Sequence, residues 1–206
     1  LNLFKALYDG SVGDVYNKTQ GTLDTSIQDA IDDANDADRI VVGVGTYYEN
    51  IDFDGTKIIL QSLHPDDDAV VVATVIDGND ADSVVTFGGT EDPNAALEGF
   101  TITNGSAALT GGGIKGNGTE ATIRKCVITG NEAAHGGGLH ACDGIVADCT
   151  IKENSVSSSC GGLGNCDGDI SGCTIADNSA GQYGGGLAYC DGSIASCIIS
   201  GNTAGT

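Results

Sequence analysis

The sequence predicts one all-β architecture, a single-stranded parallel β-solenoid with three strands per coil and about 24 residues per coil, closed at one end by a short helix. Three observations lead there. The segments GGGLHACDGIVADCTIKEN (136–154), GGLGNCDGDISGCTIADN (161–178) and GGGLAYCDGSIASCIISGN (184–202) are copies of one pattern. Their landmarks keep a fixed interval: Cys142, Cys166 and Cys190 are spaced 24 and 24, and Cys126, Cys149, Cys173 and Cys197 are spaced 23, 24 and 24. Inside each copy the apolar stretches are too short for helices and alternate with period two, the pattern of half-buried strands.

Taken in order, residues 1–24 precede any coil and read as an N-terminal arm, with Leu1, Leu3 and Phe4 suited to strand addition onto a neighbouring molecule. Thr25-Ser26-Ile27-Gln28 is a capping-box pattern, and Ile27, Ala30, Ile31 and Ala34 follow at helical spacing, so residues 25–35 are predicted as an amphipathic helix. Its apolar face suits a lid over the open end of the column, where unpaired strands invite association. Residues 39–110 supply irregular coils. Their apolar segments are Arg39–Val44, Ile51, Phe53, Ile58–Leu60, Val70–Val72, Val75–Ile76 and Val84–Val85, with longer turns such as His64–Asp68. Residues 111–206 give the regular coils, for roughly seven in a domain running from 25 to 206.

Coils about 4.8 Å apart place residues one period apart directly over each other. Ile128, Ile151, Ile175 and Ile199 then fill the interior, with Cys149 and Ile151 inward and Thr150 and Lys152 outward. Asn131, Asn154, Asn178 and Asn202 can stack their amides at a bend. For the cysteines three arrangements fit: a disulfide within each coil, since Cys142–Cys149, Cys166–Cys173 and Cys190–Cys197 are seven apart, two interior stacks of thiols, or bridges between adjacent coils. Cys160 stands where neighbouring copies have Gly136 and Gly184, which marks it as an unpaired or intermolecular thiol. Asp143, Asp167 and Asp191 form a ladder of like charge that either calcium or turn hydrogen bonds can relieve.

Composition narrows the partners. The 29 acidic residues face 8 basic ones for a formal net charge of -21, which repels nucleic acid and anionic lipid and leaves divalent cations or uncharged and cationic polymers as better partners. No apolar run approaches the roughly 20 residues of a spanning helix, so membrane insertion is not expected. Eight cysteines in so acidic a chain, with sequons at Asn17, Asn104 and Asn117, point to an extracellular or cell-surface setting. Because the first residue is Leu1, the chain is expected to be a processed product or part of a longer one.

The run TSIQDAIDDANDADRIVVGVGTYYENIDFDGTKIILQS (25–62) resembles the opening of the right-handed parallel β-helix superfamily that includes pectin lyases and methylesterases. The later copies resemble the repeats of bacterial secreted and surface β-helix proteins, so the resemblance covers residues 25–206. It implies a right-handed coil. It implies less about activity, since that fold hosts lyases, hydrolases, esterases, adhesins and inert spacers. The motifs of the family's enzymes, which are paired aspartates beside arginine, NTD segments, and calcium aspartates with a basic proton acceptor, have no counterpart here, and no catalytic residue is assigned. The expected role is a non-catalytic structural or adhesive protein with no cofactor beyond calcium, self-associating end to end into filaments through Leu1, Leu3, Phe4, Ile198 and Ile199, or joined to further repeats. The alternative is a carbohydrate-active enzyme or glycan-binding module using Asp80, Asp82 or other surface carboxylates, with Tyr47, Tyr48, Tyr183 and Tyr189 as sugar contacts.

Overall fold

In the computed structural model, which describes residues 14–205, the chain winds as a column of parallel strands. The first sheet takes one strand from every coil, at Arg39–Val42, Ile59–Ser62, Ala96–Glu98, Thr122–Arg124, Val146–Ala147, Ile170–Ser171 and Ile194–Ala195. The second runs from Gly45–Tyr48 to Ile198–Ser200 in seven strands, and the third from Ile51–Asp52 to Leu187–Ala188 in six. The predicted register holds: Ile128, Ile151, Ile175 and Ile199 pair in turn, as do Leu139, Leu163 and Leu187. A fourth, narrow sheet of four strands (Glu132–His135, Ser155–Ser159, Ser179–Ala180, Thr203–Ala204) adds to the three expected per coil. It begins just past the asparagine corner, where the backbone stays extended before the next turn.

The corners are sharp because the backbone turns left-handed four times in a coil, at Cys160, Asn165, Gly172 and Asp177 in one and at Gly184, Tyr189, Ser196 and Gly201 in the next. Between corners, inward residues meet their own copies. Ile128, Ile151, Ile175, Leu139, Leu163 and Val146 are fully buried. The earlier coils hold larger groups, Phe53, Phe87 and Phe100, and the first two rings stack with centroids 4.4 Å apart.

The asparagine ladder is the polar counterpart of the isoleucine column. Asn154 Nδ2 donates to Asn178 Oδ1 at 3.0 Å and to the Ile128 carbonyl at 3.0 Å. Its Oδ1 accepts from Asn131 Nδ2 at 3.0 Å and from the Asn131 backbone N–H at 3.1 Å. Asn178 repeats this arrangement toward Asn202. The side chain satisfies two backbone groups of the preceding coil, the Asn131 N–H and the Ile128 carbonyl, as burial at a corner requires.

The N-terminal end is closed twice. Part of the arm folds back as a hairpin: Val15–Asn17 pairs antiparallel with both Thr22–Asp24 and Arg39–Val42, so the first sheet ends in two strands of opposite direction. Leu1, Leu3 and Phe4 lie outside the described residues. The helix spans Ile27–Asp32, shorter than predicted, with Ser26 as its cap accepting from the Asp29 N–H at 3.1 Å. Glu49 accepts from the N–H groups of Ile27 and Gln28 at 3.0 and 2.9 Å. Ile27, Ala30 and Ile31 are buried over the column. The Gln28 amide bonds both the N–H and the C=O of Asp52, at 2.7 and 3.1 Å, and so occupies the free edge of the third sheet as a missing strand would.

Val70–Val72, expected as part of a coil, lies in a second short helix, Asp68–Ala73. Asp67 caps it by accepting from the Ala69 N–H at 2.9 Å, and among the three valines only Val71 is buried, its carbonyl held by Thr101 Oγ1 at 3.0 Å. The cap outweighs the β preference of three consecutive valines.

Replacing Asn154 by alanine leaves the Asn131 N–H, the Ile128 carbonyl and two neighbouring amides short of partners, and is expected to cost about 2–4 kcal/mol in urea denaturation. Asp38 ties the hairpin to the first coil, accepting from Asn17 Nδ2 at 3.0 Å, Gln20 Nε2 at 2.5 Å and the Asn35 N–H at 2.9 Å. Burial pushes its carboxyl up, and these donors together outweigh burial and hold it below the usual carboxylate value. A lowered folded value stabilises above the unfolded value near about 4 and is lost as pH falls through the folded one. Asp38→Asn should therefore lose about 1–3 kcal/mol at pH 7. The gap between the two proteins should shrink as the denaturation is repeated below about pH 4.

Candidate functional site

Stacking also arranges the groups that carry chemistry. The two cysteine series form two columns inside the coils, Cys126–Cys149–Cys173–Cys197 and Cys142–Cys166–Cys190, and all eight cysteines are free thiols. Of the three arrangements open from sequence, interior thiol stacks are the one present; Cys142 and Cys149, seven residues apart, belong to different columns. Cys149 is held well above the ordinary thiol value, first by its hydrogen bond with Cys126 and then by that with Cys173, while the bond with Cys149 is the main influence lowering Cys173. In the second column the bond with Cys142 is foremost in raising Cys166, and the bond with Cys166 foremost in raising Cys190.

The aspartate ladder runs along an outer corner. Asp143 Oδ1 accepts from the Asp167 N–H at 3.2 Å, and Asp167 Oδ1 from the Asp191 N–H at 3.1 Å. Each carboxylate is turned onto the backbone of the next coil, the turn-bonding alternative to calcium. Among the described residues no three His, Cys, Asp or Glu side chains are grouped to hold a metal ion. Two of the other surface acids, Asp77 and Asp82, are similarly engaged, while Asp80 lies exposed at φ 53°. Asp77 accepts from the Asn79 N–H and from Asn104 Nδ2, and Asp82 from the Ser83 N–H. Arg124, half of the one basic pair, is bound to Glu98 through Nε at 2.9 Å and Nη2 at 3.1 Å, and reaches Asp66 at 3.4 Å. No described helix is long and apolar enough to cross a membrane.

The candidate site that sequence reading did not assemble is a cavity of about 320 Å³ on the third-sheet face, lined by His135, His140, Cys160, Asn165 and Tyr189. It exists because of an exchange of sizes. The corner that is Gly136 and Gly184 in the flanking coils is Cys160, at φ 72°, and the strand position that is His140 and Ala188 in those coils is Gly164. A Cβ on Gly164 would meet Cys160 Cβ at 2.7 Å and Sγ at 2.9 Å, so Gly164 makes the room that Cys160 fills. Cys160 was recognisable in the sequence as a departure from its column; Gly164 is the matching departure four residues on.

Burial, followed by the charge of His135, keeps the His140 ring below its ordinary value, and Asn165 Nδ2 lies 3.1 Å from His140 Nε2. Burial, with the nearby Cys190 second, pushes the Cys160 thiol up to about 11, so it is no activated nucleophile near pH 7. Tyr189 and Tyr183 are exposed beside this face, whereas Tyr47 is buried with its hydroxyl donating to the Gly43 carbonyl at 2.8 Å. The site offers imidazole, amide and phenol contacts without a general base and nucleophile set against each other.

A family model described as right-handed beta helix region matches residues 62–205, more than half of the chain. No curated protein and no solved structure matches it.

The size exchange makes a double-mutant cycle informative. Gly164→Ala alone should cost about 1–3 kcal/mol by crowding Cys160. Cys160→Gly should be close to neutral, since it restores the neighbouring corner. The double variant recreates the pair seen at Gly184 and Ala188, and its thermal midpoint should recover most of the loss.

Proposed function

This chain belongs to the right-handed β-helix family, and from that premise we propose that it is a non-catalytic structural or adhesive element of the cell surface or extracellular space, joining other coils end on. One observation carries this reading: the two ends of the described column differ. At the N-terminal end a hairpin, a helix and the Gln28 amide cover the interior and the free edges. At the other, Ile194, Ile198 and Ile199 are 44, 63 and 52% exposed, although Ile194 and Ile199 continue the interior columns of Ile170 and Ile175. A further coil along a longer chain, or the open end of a second copy, buries these residues and covers the free strand edges.

The excess of acid over base, and the bonding of Arg124 to Glu98, Asp77 to Asn104 and Asp143 to the next coil, support a scaffold over a catalyst of acidic polysaccharide. The strong acidity and the exposed sequon residues Asn104 and Asn117 support the extracellular setting; Asn17 is buried and bonded to Asp38, so its sequon is not presented. With one end closed, open ends meet in pairs. Growth into a filament requires a second contact, for which the segment holding Leu1, Leu3 and Phe4 is the candidate.

Sedimentation velocity over a range of concentrations tests the association. Concentration-dependent pairs are expected, and Ile198→Lys with Ile199→Lys should return the protein to monomers without changing its circular dichroism. A wild-type sample that stays monomeric at every concentration overturns the self-association.

A further inference from the structure

The interior thiol columns have a geometry that goes beyond filling space. Each sulfur is aimed the same way. The thiols of Cys126, Cys149, Cys173 and Cys197 donate to the carbonyl two residues back at 3.4, 3.3, 3.4 and 3.3 Å. Those of Cys142, Cys166 and Cys190 do the same at 3.7, 3.4 and 3.5 Å. One repeated side-chain orientation sets sulfur over sulfur at the coil spacing, about 4.8 Å between adjacent strands.

That spacing discriminates between bridges. A disulfide needs sulfurs about 2.05 Å apart and Cβ atoms about 3.5–4.5 Å apart. Strands about 4.8 Å apart lie within the Cα range of a disulfide, but in-register Cβ atoms at that spacing lie just beyond its Cβ range, and backbone bonds beside the cysteines hold them there. Thr150 N–H donates to the Cys126 carbonyl at 2.8 Å, Thr174 N–H to Cys149 at 2.9 Å and Ile198 N–H to Cys173 at 2.8 Å. A metal ion bonded in a straight line to two sulfurs, at about 2.3 Å each, spans about 4.6 Å and fits without moving a coil. A four-coordinate ion does not fit, since the described residues hold no group of three ligands. Thiolates flanked by apolar side chains select soft ions of the Cu(I) type.

We propose that the columns Cys126–Cys149–Cys173–Cys197 and Cys142–Cys166–Cys190 form a binding site for soft, two-coordinate monovalent metal ions, each held between the thiolates of two adjacent coils. Binding of one ion between two thiols forms two metal–sulfur bonds and releases two protons, with no electron transferred. Each thiolate serves one ion, because a sulfur bonded to its Cβ does not hold two ions in a straight line; the pair with its ion carries a net charge of -1, and a smaller buried charge costs less than two free thiolates. The inference rests on the coil register alone and is independent of the proposed extracellular role.

Silver(I), which needs no reductant, is the probe. Reduced protein is titrated anaerobically, and the ions retained are counted by native mass spectrometry while the thermal midpoint is followed. The first column makes two such pairs and the second one, so the wild type should hold three ions and melt higher with silver, because the ion binds the folded state. Position then decides. Cys160→Ala and Cys142→Ala should still hold three, and Cys197→Ala, Cys149→Ala or Cys166→Ala two. Cys197 lies in the partly exposed last coil, so its variant reads the effect even where the inner ones fold poorly. Eight ions in the wild type with one lost for every variant alike, a lowered melting point, or silver-resistant linkage of cysteines 24 residues apart as disulfides would each overturn the proposal.

Discussion

Every side chain in a regular coil lies against a copy of itself, because the backbone ladder fixes the coils one strand spacing apart and in register. This constraint decides which residues the columns admit. Isoleucine and leucine stack on themselves without cost. Asparagine does so with gain, since its amide carries a donor and an acceptor on one plane and passes both along the column. A thiol gives its proton to a carbonyl or to the next sulfur. A carboxylate has no donor and repels its copy, so Asp143 and Asp167 bind the N–H of the aspartate that follows in the next coil.

The same constraint explains what was legible in the sequence. A ladder writes itself as a period, so the coil, its length, the inward isoleucines and the asparagine corner could be read from spacing, and the capping helix from Ser26 and the apolar positions behind it. Features that occur once leave no period. The hairpin has strands of three residues each, and it is tied to the column by one antiparallel strand pair and the contacts of Asp38, neither of which recurs. The helix at Asp68–Ala73 hides behind three valines and is announced only by the Asp67 cap. The cavity was half visible, because it depends on two paired departures from the repeat, and only that of Cys160 was weighed; the one at Gly164 looks trivial until the backbone shows that it receives the Cys160 side chain.

Function follows from how little of the polar inventory is left over. The acids examined at the corners accept from backbone or amide donors, the guanidinium of Arg124 is committed to Glu98, and the buried asparagines are saturated by one another. Chemistry usually needs a group whose hydrogen bonding is incomplete and whose proton affinity is tuned for transfer. Here the column thiols move one another both ways, Cys149 up and Cys173 down, and burial lowers the His140 ring, so these shifts come from contacts inside the coils. The last described coil lacks something else: Ile194, Ile198 and Ile199 are exposed, so its deficit is in apolar contact and backbone pairing.

The cysteines themselves follow from the change along the column. In the early coils, whose turns differ in length, the interior holds Phe53, Phe87 and Phe100, and Phe100 stands in register just before the first cysteine of its column, Cys126. Once every coil has the same length, the cross-section is constant and the position calls for one small residue repeated without steric drift. Alanine would leave space and serine would bring a hydroxyl needing a stronger partner in a dry interior. Cysteine fills more volume than either and asks only for a weak acceptor, which the carbonyl two residues back supplies at every level. The packing requirement is local to each coil, yet its repetition lines up the sulfurs, so a property that no single coil possesses, a continuous path of soft donor atoms, arises from a residue chosen for its size.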